Sequence, residues 1–272
     1  MPQWTIDSPG RLTFGEVTAL NVRVVAGRLA VLASDGPPTL EVTEVEGSPL
    51  VVTHDDDGRL TVAYKDLTWD GILGWLRPGP RRTTLTLTVP KTCPVQAGVV
   101  SASAVVTGME GITGVKAVSG DIVLDGVSGE VQAETVSGSV ESRGLAGDLS
   151  FSSVSGDLTV AAGWPRRLRA NTVSGRVTAD LEMEPTGHVT LHGMSGAIVV
   201  RLPHDVNTDV SAHSASGRIE SAFPELSATS VPGARSLSGR LGGGMASLSA
   251  TTVSGAVTLL CGQPAGRRAE KP

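Results

Sequence analysis

Aromatic residues are scarce in this 272-residue chain: four Trp, three Phe and one Tyr stand against 34 Gly. Without large side chains no bulky globular core can be built, so the apolar content must form a thin layer of Val, Leu, Ile and Ala. No stretch carries a helical period of useful length, which excludes bundles and α/β layering. A basic excess is also missing. The net charge is −5, and phosphate neutralisation needs a positive patch, so nucleic acid is excluded as a partner. Long hydrophobic runs do not occur, so no transmembrane segment is expected. The first twenty residues hold Asp7, Arg11 and Glu16 and no apolar centre. That reads as no secretory signal and a cytoplasmic location, with surface display only by a non-classical route. Only two cysteines, Cys93 and Cys261, are present. Stacked repeats would hold them farther apart than the about 7 Å a disulfide spans. Both are read as buried small hydrophobes, compatible with a reducing compartment.

What the chain does have is a ruler. Gly120, Gly129, Gly138, Gly147 and Gly156 are nine residues apart, and all but Gly147 follow a serine. Ser-Gly then returns at Gly175, Gly196, Gly217, Gly239 and Gly255. Self-similarity of fixed period marks a stacked repeat. Positions two before and two after the glycine are aliphatic, as in Val118/Ile122, Val136/Val140 and Val173/Val177, and period-two alternation follows in Ile122/Leu124, Leu158/Val160 and Ile198/Val200/Leu202. This reads as short strands with one buried face. At the corner, glycine supplies either a positive φ or a close backbone approach.

A strand of nine residues with its corner cannot close a lap, so alternate corners are paired. Gly120, Gly138, Gly156, Gly175, Gly196, Gly217, Gly239 and Gly255 become one column of structural turns, at steps of 18, 18, 19, 21, 21, 22 and 16 residues. The opposite column begins with Gly129 and Gly147 and drifts into Pro165, Pro185, Pro203, Pro224 and Gly242-Gly243-Gly244. The expected fold is all-β: a flattened, two-sided, right-handed parallel β-solenoid (β-helix) with rungs of about 18–22 residues, about 4.8 Å apart. Residues 1–92 read as a rougher edition of the same rungs, with Val25-Ala26-Gly27 matching Val-Ser-Gly and further glycines at 36, 47 and 58. Residues 93–262 form the regular Val-Ser-Gly part, although Val95 to Gly114 resists placement of its corners, and 263–272 a mobile tail. The whole is expected to be one elongated domain.

Val24-Val25-Ala26-Gly27, Val89-Pro90 and the Thr/Ala-Val-Ser-Gly-x-Val units around Gly120, Gly138, Gly175 and Gly255 resemble those of the bacterial putative-adhesin family of β-strand-repeat domains of unknown function. The resemblance covers nearly the whole chain. It implies a β-solenoid without established catalysis, and the adhesin label implies surface display, from which this sequence departs by its lack of a visible export signal.

Several constellations stand out. Four residues before the main-column glycines the chain reads Lys116, Glu134, Ser152, Asn171, His192, His213, Arg235 and Thr251. Alternation points them outward, making His192 and His213 neighbours with His188 and Asp209 close by, an exposed ladder for which a solvated polar face is favoured over a metal site. One residue after the corners the series runs from Asp121, Glu130, Asp148 and Asp157 to Arg176, Arg218 and Arg240, a solubilised row with an electrostatic polarity. Asp55-Asp56-Asp57-Gly58 reads as a hairpin turn, since the later ligands of a calcium loop are missing. Residues 69–82 interrupt the repeats and gather Trp69, Trp75, Arg77, Arg81 and Arg82. They read first as a flap over an open edge, then as a partner-docking loop, and last as a membrane contact.

A non-enzymatic scaffold or interaction module follows, binding a protein, another copy of itself or cell-envelope components, with no cofactor and no catalytic residue. The alternative is a carbohydrate-active β-helix enzyme, in which Asp121 and Asp157, two rungs apart, would form an inverting acid and base pair.

Overall fold

A computed structural model describes residues 2–64, 81–231 and 233–263, and all of their regular structure is β-strand. The chain divides into two compact units, Met1–Glu141 and Ser142–Pro272. Residues 92 and 93, the expected change of regularity, fall inside the first.

In the first unit the chain alternates between two sheets, so that one strand from each makes a lap. Val95–Val99, Thr113–Ala117 and Glu130–Thr135 lie parallel in one sheet, with Val95 opposite Thr113 and Thr113 opposite Val131. Ser103–Thr107 and Ile122–Asp125 lie parallel in the other, with Ala104 opposite Ile122. The 18-residue offset keeps inward-facing residues over inward-facing residues, and Ala104, Val106, Ile122, Leu124 and Val131 are fully buried. Burying such an aliphatic side chain contributes roughly 1.5–3 kcal/mol, and each lap is covered by its neighbours.

The region expected as rougher laps is one in part only. Ala19–Val24 and Ala26–Ala33 form a lap, flanked in parallel by Val95–Val99 and Ser103–Thr107 on one side and by Arg59–Tyr64 and Arg81–Val89 on the other. Beyond this the strands are antiparallel: Leu50–His54 and then Gln3–Ile6 in one sheet, Thr39–Gly47 and then Gly10–Thr13 in the other. The cause is local. Asp55 N–H donates to the Arg59 carbonyl at 2.9 Å, Gly58 N–H to the Asp55 carbonyl at 3.0 Å, and Gly58 sits at φ +81°. This tight hairpin reverses the chain instead of carrying it across to the second sheet.

In the second unit Ala146–Ser153, the latter half of Leu158–Thr172, and His188–Gly193 are parallel neighbours in one sheet. The first half of Leu158–Thr172, Val177–Leu181 and Ile198–Pro203 are parallel neighbours in the other. From here spatial order departs from sequence order. The lap formed by Ala246–Thr252 and Val257–Gly262 lies beside His188–Gly193 and Ile198–Pro203. The earlier lap, Thr208–Ser214 and Ile219–Ser221, lies on its far side. Gly255 therefore stacks between Gly196 and Gly217, and the expected sequential column is corrected there.

Gly239 leaves the column altogether. It belongs to Ala234–Leu241, antiparallel to Thr208–Ser214 with Gly239 opposite Val210, and Ser227–Val231 completes the hairpin. The reason for glycine there is packing, because a Cβ would stand 3.0 Å from Leu226 Cδ2 and 3.2 Å from the Glu225 carbonyl oxygen. Leu226 and Phe223 are buried, closing the end of the core.

Candidate functional site

The repeated corner is built from three residues with separate tasks. Two steps past the corner Val177 faces inward, and three steps before it Thr172 does as well; Thr172 Oγ1 accepts the Gly175 N–H at 2.9 Å. The same cap recurs as Gly138 to Thr135 at 3.0 Å, Gly156 to Ser153 at 2.7 Å, Gly217 to Ser214 at 2.8 Å and Gly255 to Thr252 at 3.1 Å. The serine before the glycine turns outward and hydrogen-bonds the preceding lap with both of its donors. Ser174 gives its N–H at 2.9 Å and its hydroxyl at 3.2 Å to the Val154 carbonyl. Ser195 does the same to Val173, and Ser254 to Met194. The capping hydroxyls satisfy glycine N–H groups at the turn, and the outer serine hydroxyls add a second donor to carbonyls already bonded by the serine N–H.

Of the two roles open to the glycine, close approach is the one used. None of Gly120, Gly138, Gly175, Gly196, Gly217 and Gly255 has a positive φ. A Cβ on Gly175 would lie 2.8 Å from the Gly156 carbonyl carbon and overlap its oxygen; on Gly196 it would lie 2.6 Å from the Gly175 carbonyl carbon, and on Gly255 2.8 Å from that of Gly196. Positive φ occurs at the opposite corner, at Gly108 and Gly126 in the first unit and at Gly144 and Ala162 in the second, with Gly147 at φ +102°. Gly27, matched to Val-Ser-Gly, combines φ +110° with close approach, the Thr83 carbonyl carbon 2.8 Å from its would-be Cβ. Gly129, expected there, is a close-approach glycine, with the Glu110 carbonyl carbon 2.9 Å from its would-be Cβ.

Because the backbone bends between Val173 and Val177, the two aliphatics do not share a face. Val177 is fully buried, whereas Val154, Val173, Met194 and Val253 are between 44 and 55 % exposed. The expectation that both flanking aliphatics belong to the core is corrected: the residue two before the glycine lies on the surface in each unit, as Val154, Val173, Met194 and Val253 in the second and Val118 and Val136 in the first.

The histidine ladder is also rearranged. His192 lies opposite Thr251, and Thr251 opposite His213, so a strand separates the two imidazoles. The intercalated lap is the cause. His188 Nδ1 meets Ser247 Oγ at 2.7 Å, and His213 Nε2 meets Ser211 Oγ at 3.1 Å. Asp209 binds Arg240 at 2.8 Å. Among the described residues no group of three or more His, Cys, Asp or Glu is arranged to hold a metal ion.

Two of the acidic corner residues serve the backbone. Asp121 Oδ1 accepts the Ser139 N–H at 2.9 Å, and Asp157 Oδ1 the Arg176 N–H at 2.7 Å. Asp148 accepts two bonds from Arg166, at 3.0 and 2.8 Å, with Arg167 at 3.5 Å. The hydrogen-bonded Arg166 guanidinium holds the Asp148 carboxyl below its usual range.

Of the tryptophan-rich segment, Trp69, Trp75 and Arg77 lie outside the described residues, as do 264–272 of the expected tail. Arg81 is buried, its guanidinium carbon 5.9 Å from the centre of the Tyr64 ring. Arg82 is exposed and reaches Glu44 at 4.0 Å. Tyr64 hydroxyl meets Thr83 Oγ1 at 2.7 Å, and burial pushes its pKa up. Cys93 is buried, and desolvation raises its thiol to about 11, whereas Cys261 is exposed, against the expectation that both are interior.

Residues 39–260 match the model of the Toastrack DUF4097 family, and the chain belongs to that family. The resemblance carried by the Val-Ser-Gly units is thereby met: this is a bacterial family of unknown function, and solved structures similar to this chain are described as putative adhesins. No curated protein matches the chain. A putative adhesin from Bacteroides fragilis is 10 % identical, with 95 % of this chain and 97 % of that chain covered and a TM-score of 0.43. Another from Parabacteroides merdae is 13 % identical, with 93 % and 95 % covered and a TM-score of 0.43. A structure described as a putative lipid binding protein, from Parabacteroides distasonis, is 13 % identical, with 93 % and 97 % covered and a TM-score of 0.40.

Proposed function

We propose that the chain is a non-enzymatic interaction module of adhesin type, each unit being a segment of right-handed, two-sided parallel β-solenoid that presents flat repeated surfaces to a macromolecular partner. The observation that supports this most is how the repeated polar residues are used. Serine hydroxyls, threonine caps and the Asp121 and Asp157 carboxylates all bond the backbone of their own or a neighbouring lap. A general acid or base must instead be within reach of substrate and free to exchange its proton. The row Val154, Val173, Met194 and Val253 offers exposed apolar area on a rigid scaffold, the kind of surface that marks a contact site.

The test is a glycan and protein array probed with the full chain, alongside a reducing-sugar release assay. Saturable binding without turnover, weakened by Val173→Lys, is the expected result. Turnover that vanishes in Asp157→Asn would transfer the chain to the carbohydrate-active enzymes.

A further inference from the structure

The second unit leaves one strand position open. Along the sheet that holds Val177–Leu181, the residue two past each corner donates its N–H to the next lap. Leu158 gives to Arg176 at 2.8 Å, Val177 to Ala197 at 2.9 Å, Ile198 to Ala256 at 2.8 Å and Val257 to Arg218 at 2.8 Å. The next residue in this series is Ile219. Its strand, Ile219–Ser221, pairs with Val257–Gly262 and has no strand on its other side among the described residues. The opposite sheet does continue, by two strands, through the hairpin of Ala234–Leu241 and Ser227–Val231. One sheet thus overhangs the other.

Under the overhang lies a cavity of about 430 Å³, lined by Arg218, Ile219, Glu220, Ala228, Ser230 and Arg235 among others. Its walls carry the marks of a missing neighbour. Leu158, Val177, Ile198 and Val257 are fully buried, but Ile219 is partly exposed. Ala228 pairs with Leu237, which pairs with the buried Ala212, so Ala228 faces the interior side, yet it is exposed. Small residues at Ala228 and Ser230 leave space where the other laps have a strand.

Resting on the interaction-module reading, we infer that this slot accepts an extended peptide segment of a separate polypeptide by strand addition, its backbone pairing with Ile219 and Ser221, an apolar side chain covering Ile219 and a carboxylate meeting Arg218. Strand addition supplies main-chain hydrogen bonds for affinity and alternate side-chain pockets for specificity. Alternation in the ladder supports the choice of partners, since Val257 N–H reaches Arg218 and Ala222 N–H reaches Leu259, leaving the odd residues, Ile219 and Ser221, directed away from that strand. Charge selects an acidic segment: Arg218 and Arg235 face Glu220 alone in the cavity, and Arg235, which donates to the Gly217 carbonyl at 2.9 Å, retains further donors. The chain's own last residues, with Arg267, Arg268 and Lys271, have the wrong sign.

The experiment titrates the isotope-labelled full chain with a blocked hexapeptide, Val-Thr-Val-Thr-Val-Asp, and follows amide signals and hydrogen exchange by NMR. Saturable shifts at Ile219 and Ser221, exchange there slowed about tenfold or more, and binding about fivefold or more weaker when Lys replaces the terminal Asp, are expected. Ala228→Phe fills the slot and should abolish these shifts at an unchanged melting temperature. If that variant misfolds, Arg218→Ser must weaken binding about fivefold. No saturable shift up to about 5 mM peptide, or shifts confined to the outer edge of Ser227–Val231, would overturn the slot. An Ala228→Phe chain that still binds its target on the array, after the peptide shifts are lost, would refute the slot as the functional contact and leave the module reading standing.

Discussion

Replacing Gly175 by alanine adds one methyl group where the laps come closest. Its Cβ would sit 2.8 Å from the Gly156 carbonyl carbon and 2.8 Å from Thr172 Oγ1, and would overlap the Gly156 oxygen. The Gly156 carbonyl is backbone, and the Thr172 side chain is short and buried, so neither can swing away freely. Relief requires the two laps to separate, which stretches the Ser174 to Val154 bonds, while the new Cβ also crowds the Gly175 to Thr172 cap within its own lap. Overpacking a core by a methylene costs about 1–3 kcal/mol, and losing one buried hydrogen bond about 1–3 more. A loss of at least about 2 kcal/mol is therefore expected for Gly175→Ala by urea denaturation with the slope unchanged. The comparison is Gly126→Ala, where φ is +60° and nothing lies within 4 Å of the added Cβ. Only the left-handed penalty applies there, about 1–2 kcal/mol. If Gly175→Ala costs less than Gly126→Ala, close approach is not what fixes glycine in the Ser-Gly corner.

The complementary substitution is Ala162→Gly. Ala162 occupies φ +49° where equivalent corners 18 residues apart have glycine, so relief of strain, less the entropy glycine adds to the unfolded chain, should stabilise by about 0.5–1 kcal/mol in the same assay. Val173→Ala should change stability by less than about 0.5 kcal/mol and Val177→Ala by about 2 kcal/mol or more, because only the second is buried; equal costs would restore the reading that both are core. Asp148 has a lowered pKa in the folded state. Its stabilisation is thus full above the unfolded carboxylate value and lost as pH falls through the folded one, so Asp148→Asn should flatten the acid limb of stability against pH. Cys261 should react with a thiol reagent at neutral pH in the native protein, and Cys93 only on unfolding.

The lap itself was legible because its corners repeat the same demands: a serine such as Ser174 to bond the lap before, a glycine with no room for Cβ, and, at all but Gly120 and Gly196 in the stacked column, a hydroxyl such as Thr172 to cap. Where one of these is replaced the signal fades. Ala102 stands in the glycine position beneath Gly120, whose would-be Cβ lies 2.7 Å from its carbonyl carbon, which is why the corner between Val99 and Ser103 had no glycine to mark it. Positive-φ glycines at Gly108, Gly126 and Gly144 were present at intervals of 18, but the close-approach Gly129, and Gly147, itself at φ +102°, lie close by and mask them. Val173 was misplaced because period-two counting assumes a straight strand, and the corner resets the parity. Most hidden of all was the intercalation of the last lap. Ser-Gly at 238–239 looks like a corner, and nothing local distinguishes a lap laid down in order from one inserted later. Only long-range pairing decides it, and with it the separation of His192 from His213.

Cross-linking measures that order directly. In a chain whose native cysteines are replaced, Met194→Cys with Val253→Cys should form a disulfide under mild oxidation, since Ser254 bonds the Met194 carbonyl, while Met194→Cys with Ala215→Cys should stay reduced. A bridge in the second pair and none in the first would mean that the laps stack in the order they are synthesised, contrary to the arrangement described.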